Sequence, residues 1–229
     1  EQGIDYSLYR TFAAQASSYG IHESQSLIWE NNIARSAEFW EWALPVLNLE
    51  FPHNLQNVTP GMAFCAVNKI RPSLIRTESD ELTYNMHIIL RYEIERDLMN
   101  KRIRVADIPE IWREKMLEYL GSEVSEDAKG ALQDIHWAFG GIGYFPTYTL
   151  GKLYAAMFWK QINQEIPDIN IIIRNGEFRE ITRWLRKKIH RYGRLETPSE
   201  ILRRVTGEEL SARPFIDYIS EKIDQVYFG

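Results

Sequence analysis

Apolar residues recur along this chain at steps of three and four, in runs that helix-capping residues repeatedly open and close. That periodicity suits helices and leaves little room for a sheet. Trp29, Ile33, Ala37, Trp40 and Leu44 form one stripe, on a helix expected to begin close to Glu23 and to stop at Pro45. Thr59-Pro60 reads as an N-cap followed by proline at the first helical position, opening a helix through Cys65. Ser79 is expected to cap a long helix carrying Leu82, Met86, Ile89, Leu90, Ile94 and Leu98. Asp107 with Pro109 opens another, which Gly121 closes. A helix from Ser125 to the Gly140-Gly141 pair comes next, then one opened by Tyr148, one behind the Thr197–Glu200 capping box, and a last from about Ala212. Only KIRPSLIR, Lys69 to Arg76, leans toward an extended strand. The expected fold is mainly α, a single domain over residues 1–229 with at most a small β-sheet.

Charge and cysteine usage narrow the setting. A net charge of −5 argues against a general nucleic-acid binder, because neutralising phosphates needs a cationic surface. The one basic block, Arg183 to Arg194, carries Trp184, Leu185 and Ile189 at helical spacing behind Ile181, which favours a solvated helix face. A single cysteine, Cys65, excludes an internal disulfide and fits a reducing, cytoplasmic compartment. Within MAFCAV its thiol is expected to be buried and inert. No apolar run reaches the roughly 18 residues a membrane span needs, so no membrane partner is expected.

Three stretches hold side chains with chemical reach. His22-Glu23 opens a helical run, but no pair among the five histidines has HExxH spacing, so spacing alone assembles no zinc site and favours a structural pair. QDIHWAFGGIGYFPTY, Gln133 to Tyr148, places Asp134 and His136 ahead of a glycine-rich loop with two tyrosines. Glycines permit close approach to a substrate backbone, and histidine and tyrosine can donate to an oxyanion; the same residues can equally pack and end helices. Arg76 follows an apolar run, where a guanidinium either binds a carboxylate bidentately or pairs at the surface with Glu78 or Asp80.

Together these stretches resemble the carboxypeptidase Taq family of thermostable metallocarboxypeptidases. That family's ordered motifs are HExxH, HES(G)Q, (I/V)RxxAD and GxxQDxHW. This chain has His22-Glu23-Ser24-Gln25, then Ile75-Arg76-Thr77-Glu78-Ser79-Asp80, with serine where the pattern has alanine, then Gly130 to Trp137, followed by the similar GYFPTYTLG run. The resemblance implies a multi-helix, zincin-like body with at most a small β-sheet near an active-site groove. It also implies metal-assisted hydrolysis of the last peptide bond. On it Glu23 corresponds to a zinc ligand, with cobalt or manganese as other metals, and His22 to a group on the substrate side. Arg76 corresponds to the residue that binds the substrate's terminal carboxylate, with Gln133 beside it. His136, oriented by Asp134, and Tyr144 or Tyr148 would stabilise the tetrahedral intermediate, and Asp80 would support the site.

HExxH, HPF and DxRxT have no counterpart in the 229 residues. The chain begins EQG, where the family's active-site helix reads HExGHALYEQG, so the resemblance implies a C-terminal portion cut a few residues after the second histidine ligand. Such a portion is expected to be inactive alone and to need the HExxH segment, in the intact protein or as a separate N-terminal chain. Expected partners are peptide C-termini and a second copy in a homodimer. The alternative is a non-catalytic helical protein that keeps the fold as a binding or dimerisation scaffold.

Overall fold

Ser18 turns the chain into its first helix: its side chain accepts from the Ile21 N–H, satisfying a backbone donor that the first turn leaves free. A computed structural model describes residues 2–229; Glu1, on which the expectation about the chain's start rests, lies outside them. Among the described residues there are eleven α-helices: α1 (Tyr19–Leu27), α2 (Ala37–Glu50), α3 (Pro52–Leu55), α4 (Pro60–Val67), α5 (Tyr84–Met99), α6 (Ile108–Leu120), α7 (Pro146–Glu165), α8 (Ile169–Arg174), α9 (Arg179–Lys188), α10 (Pro198–Thr206) and α11 (Arg213–Tyr227). None is long and apolar enough to cross a membrane. The described residues are helical without a sheet, within the expected mainly α class; only the strand expected over KIRPSLIR does not form, because Ile75 is extended but the stretch finds no ladder partner and turns into a 3-10 helix at Arg76–Glu78.

The chain divides into two compact units, Glu1–Val67 with Leu150–Gly229, and Asn68–Thr149. In the first, Ile21, Leu27, Ile28 and Ile33 pack with Tyr154, Phe158 and Ile162 of α7 and with Ile181, Leu185, Ile201 and Leu202 from α9 and α10. Glycines allow α1 to approach α7 closely. A Cβ on Gly20 would stand 3.3 Å from a Tyr154 ring carbon, and one on Gly151 would stand 2.8 Å from Glu23 Cγ. In the second unit α5 packs on α6, and Leu90, Ile94, Trp112, Met116 and Leu120 form its core.

Several boundaries differ from expectation, each for a local reason. The stripe from Trp29 to Leu44 is two helices, because α1 widens into a π-helix over Ile28–Ala34, ends at Arg35, and Ser36 caps α2 by accepting from Phe39 N–H. The Asn31 carbonyl near that break accepts from Tyr218 and the buried Lys222 of α11. Pro45 does not stop α2, which runs on to Glu50; proline lies on the exposed side, where water can satisfy the carbonyl its missing N–H leaves free. Asp80, not Ser79, organises the approach to α5: its Oδ1 accepts from Leu82 and Thr83 N–H, while the Ser79 hydroxyl turns back to the Ile75 carbonyl. Cys65 is exposed rather than buried, because α4 turns Ala63 and Phe64 inward instead.

The helix expected from Ser125 is a 3-10 turn at Asp127–Lys129 followed by irregular backbone as far as Phe145. Gly130 leaves helical geometry at φ −111° and ψ −123°, and the side chain of Gln133 binds loop backbone in place of a helix ladder. The remaining signals hold. Thr59 accepts from Met62 N–H ahead of α4, Gly121 closes α6 in the left-handed region, and Thr197 and Glu200 form a reciprocal capping box on α10. Ile181, Trp184, Leu185 and Ile189 are buried while Arg183, Arg186 and Lys187 face solvent, as a solvated helix face requires.

Candidate active site

In the second unit a carboxylate is shared by two guanidiniums. Arg76 is 7% exposed, and its Nε and Nη2 donate to Asp134 Oδ1 at 3.0 and 2.7 Å. Its Nη1 donates to the Tyr84 hydroxyl at 2.6 Å. Arg91, 0% exposed on α5, approaches the other oxygen: Nε donates to Asp134 Oδ2 at 2.8 Å and Nη2 lies 2.6 Å from it. Arg91 Nη1 donates to the His87 carbonyl at 2.8 Å, and its guanidinium lies 4.4 Å from the Trp112 ring centre. Arg76 therefore pairs with Asp134, 58 positions along the chain, and not with its neighbours Glu78 or Asp80.

The electrostatics follow from that sharing. Burial disfavours every charge here, yet the hydrogen bonds from Arg76 and the field of both arginines hold the Asp134 carboxyl below the usual carboxylate range. Burial also opposes the charge on Arg76, but Asp134 and Tyr84 hold its guanidinium above its ordinary value. Burial pulls Arg91 down to about 10 against the attraction of Asp134, which leaves it cationic at neutral pH. His87 is driven down to about 4, first by burial and then by the adjacent Arg91, so it stands neutral.

Gln133 fixes the Arg76 backbone. Its Oε1 accepts from Arg76 N–H at 2.8 Å while its Nε2 donates to the Leu74 and Lys129 carbonyls at 3.1 and 3.0 Å. His136 lies beside the pair: its Nε2 and the Tyr148 hydroxyl are 3.0 Å apart, and its Nδ1 is 3.8 Å from Asp134 Oδ1, beyond hydrogen-bond length. Burial, with both arginines, holds the His136 imidazole below its ordinary value against Asp134. The rings of Phe145, Tyr144 and Phe139 surround it at 4.4, 5.3 and 5.7 Å. Tyr144 thus meets His136 through its ring and Tyr148 through its hydroxyl. Asp80 accepts from Arg71, Leu82 and Thr83 N–H and from the Thr83 hydroxyl, so it secures the loop that carries Arg76.

In the first unit Glu23 is half-buried on α1 with its Cβ and Cγ against Gly151. Burial, then Glu30, raises its carboxyl above the ordinary range, and His22, Ser26 and Lys152 offset this only in part. His22 is exposed and lines a cavity of about 290 Å³ with Gln15, Ser17, Ile21, Gln25 and His190. Gln25 bridges inward: its Nε2 donates to Ser24 Oγ at 2.9 Å, and its Oε1 lies 2.8 Å from His190 Nε2. An under-compensated carboxylate is a fitting oxygen ligand for a divalent ion, but no three His, Cys, Asp or Glu side chains converge among the described residues. Glu23 alone therefore fits as one ligand of a larger set.

Arg91, Tyr84, His87 and Glu95 escape the motif reading. Glu95, buried on α5, accepts from Gly143 N–H and so ties down the glycine-rich loop. One signal was available: Tyr84, His87, Arg91 and Glu95 follow one another at steps of three, four and four, a polar stripe that shares its helix with Leu90 and Ile94.

The family model for carboxypeptidase Taq (M32) metallopeptidase matches residues 1–223. Carboxypeptidase 1 of Bacillus subtilis (strain 168) is 41% identical over 99% of this chain and 45% of its own length. Thermostable carboxypeptidase 1 of Pyrococcus furiosus is 45% identical over 90% of this chain and 41% of its own length. The crystal structure of an M32 carboxypeptidase from Deinococcus radiodurans R1 superposes with a TM-score of 0.96 at 38% identity, over 99% of this chain and 46% of that one. The chain spans less than half the length of the relatives it matches.

Proposed function

The chain belongs to the carboxypeptidase Taq (M32) metallopeptidase family, and from that premise we propose that it is the C-terminal portion of a metal-dependent enzyme that removes the last residue of a peptide. The observation that carries the proposal is the Arg76 guanidinium. It is held in place by Asp134 and Tyr84, which take three of its five N–H donors, so the others can meet an incoming carboxylate. Recognition of a chain end is what separates an exopeptidase from an endopeptidase. Gln133 then serves as the brace of the Arg76 backbone.

In this reading Glu23 supplies one carboxylate to a divalent metal, with zinc the first choice and cobalt or manganese the alternatives. A divalent metal bound there would supply Lewis-acid chemistry, polarising the scissile carbonyl and acidifying water. The remaining ligands and the general base come from an HExxH segment outside these 229 residues. Tyr148 and His136 share a hydrogen bond; with the His136 Nε2–H donating to the Tyr148 oxygen, the tyrosine O–H is the donor that meets the oxyanion, and Tyr144 packs the imidazole in place. Asp134 acts on the arginines more than on His136, since both of its oxygens are engaged by guanidiniums.

The test uses the intact protein that contains this chain and a blocked peptide with a free C-terminus. We expect residue release with zinc or cobalt, loss of bound metal in Glu23→Gln, and a raised KM with metal retained in Arg76→Met. Metal binding and hydrolysis unchanged in both variants would overturn the proposal. That result would support the other reading, a non-catalytic helical scaffold that keeps the family fold.

A further inference from the structure

We propose that Arg91 is a positioning residue for Arg76, acting through their shared carboxylate Asp134, so that it sets the affinity for a peptide's terminal carboxylate without touching the peptide. The inference rests on the reading that Arg76 meets that carboxylate.

Asp134 divides its oxygens, Oδ1 to Arg76 and Oδ2 to Arg91. A carboxylate facing one guanidinium tends to accept two parallel N–H bonds, one on each oxygen. Arg91 prevents that arrangement by occupying Oδ2. Arg76 is thereby confined to a single oxygen along its Nε and Nη2 edge, and its remaining donors are kept from the internal partner. Arg91 itself has no freedom to move: its side chain is 0% exposed, its Nη1 is held by the His87 carbonyl at 2.8 Å, and its guanidinium lies over Trp112 at 4.4 Å and Phe145 at 5.4 Å.

Charge favours the same outcome. Two guanidiniums share one carboxylate, and the adjacent His87 is neutral, so the cluster carries one uncompensated positive charge. A buried surplus of that sign favours an entering anion. The device thus holds Arg76 rigidly by one edge and leaves the cluster around it with one net positive charge.

The experiment compares binding of an N-acetyl dipeptide and its C-terminal amide to the intact protein by titration calorimetry, alongside KM and kcat. Arg91→Lys and Arg91→Met are each expected to cut the preference for carboxylate over amide at least tenfold and to leave kcat within threefold. In an Arg76→Met background Arg91→Lys should change the preference by less than twofold. Arg91 variants that keep the wild-type preference, while Arg76→Met loses it, would overturn the proposal and leave the Arg76 reading standing. Arg76→Met keeping the preference would overturn that reading itself. Where an Arg91 variant does not fold, the Nε–H NMR signals of the wild-type protein decide. Both arginines shifting on one saturation curve with the carboxylate peptide, and neither with the amide, supports the proposal; a shift confined to Arg76 overturns it.

Discussion

Gly151 and Glu23 stand so close that a Cβ built on the glycine would fall 2.8 Å from Glu23 Cγ and 2.9 Å from its Cβ. Those carbons sit at the root of the side chain, so Glu23 cannot swing aside without moving α1. Gly151→Ala is therefore expected to destabilise the protein by about 1–3 kcal/mol and to displace Glu23. Gly20→Ala, whose nearest contact is a ring carbon at 3.3 Å, should cost clearly less. Chemical denaturation of the two variants side by side checks the ranking.

Replacing Asp134 by asparagine leaves two buried guanidiniums facing a neutral amide. Removing one partner of a buried ion pair costs about 3–5 kcal/mol, so Asp134→Asn is expected among the most destabilising conservative changes in the second unit. Urea midpoints of Asp134→Asn and Asp80→Asn, compared at pH 7, should place the first well below the second.

Buried His87 makes stability acid-sensitive in a defined window. Its folded-state pKa of about 4 lies below the ordinary value of 6.5, so above pH 6.5 both states are neutral and it contributes nothing. Between pH 6.5 and 4 the unfolded chain takes up a proton that the folded one refuses, and stability falls as pH falls. The loss is about 2 kcal/mol at pH 5 and about 3 kcal/mol by pH 4. A His87→Gln variant should show a flatter stability profile from pH 7 to 5 than the wild type, whatever its absolute stability.

Pro45 lies inside α2 on its exposed side and leaves one carbonyl without its helical donor. Pro45→Ala restores that donor and is expected to stabilise the protein by about 1–3 kcal/mol. A thermal melt checks it, and a fall in midpoint would show that the ring's packing outweighs the missing bond.

What could be read from the sequence was what is local. Thr59, Gly121 and the Thr197–Glu200 box each announce a helix end within four residues, because a cap bonds its own first or last turn. The apolar steps gave the mainly α class and the buried face of α9. Distant bonding is not legible by spacing: the carboxylates nearest Arg76 in sequence are Glu78 and Asp80, and its partner is Asp134. The same interaction explains the failed helix from Ser125. Gln133 and Asp134 are committed to Arg76 and Arg91, and a regular ladder would turn successive side chains to different faces. The exposure of Cys65 is not legible because an all-apolar octet gives no phase from which to tell an inward residue from an outward one.

The division of the chain has a consequence on the ribosome. Asn68–Thr149 is one uninterrupted segment with its own core, whereas the first unit joins residues before Val67 to residues after Leu150. During synthesis Ile21, Leu27, Ile28 and Ile33 emerge early and must wait for Phe158, Leu185 and Leu202 before their apolar surface is covered. The inserted segment has all its parts sooner. Of these two units the one encoded second is thus the first whose core is complete, and the α1 face that packs on α7, α9 and α10 stays uncovered by them until α10 leaves the exit tunnel.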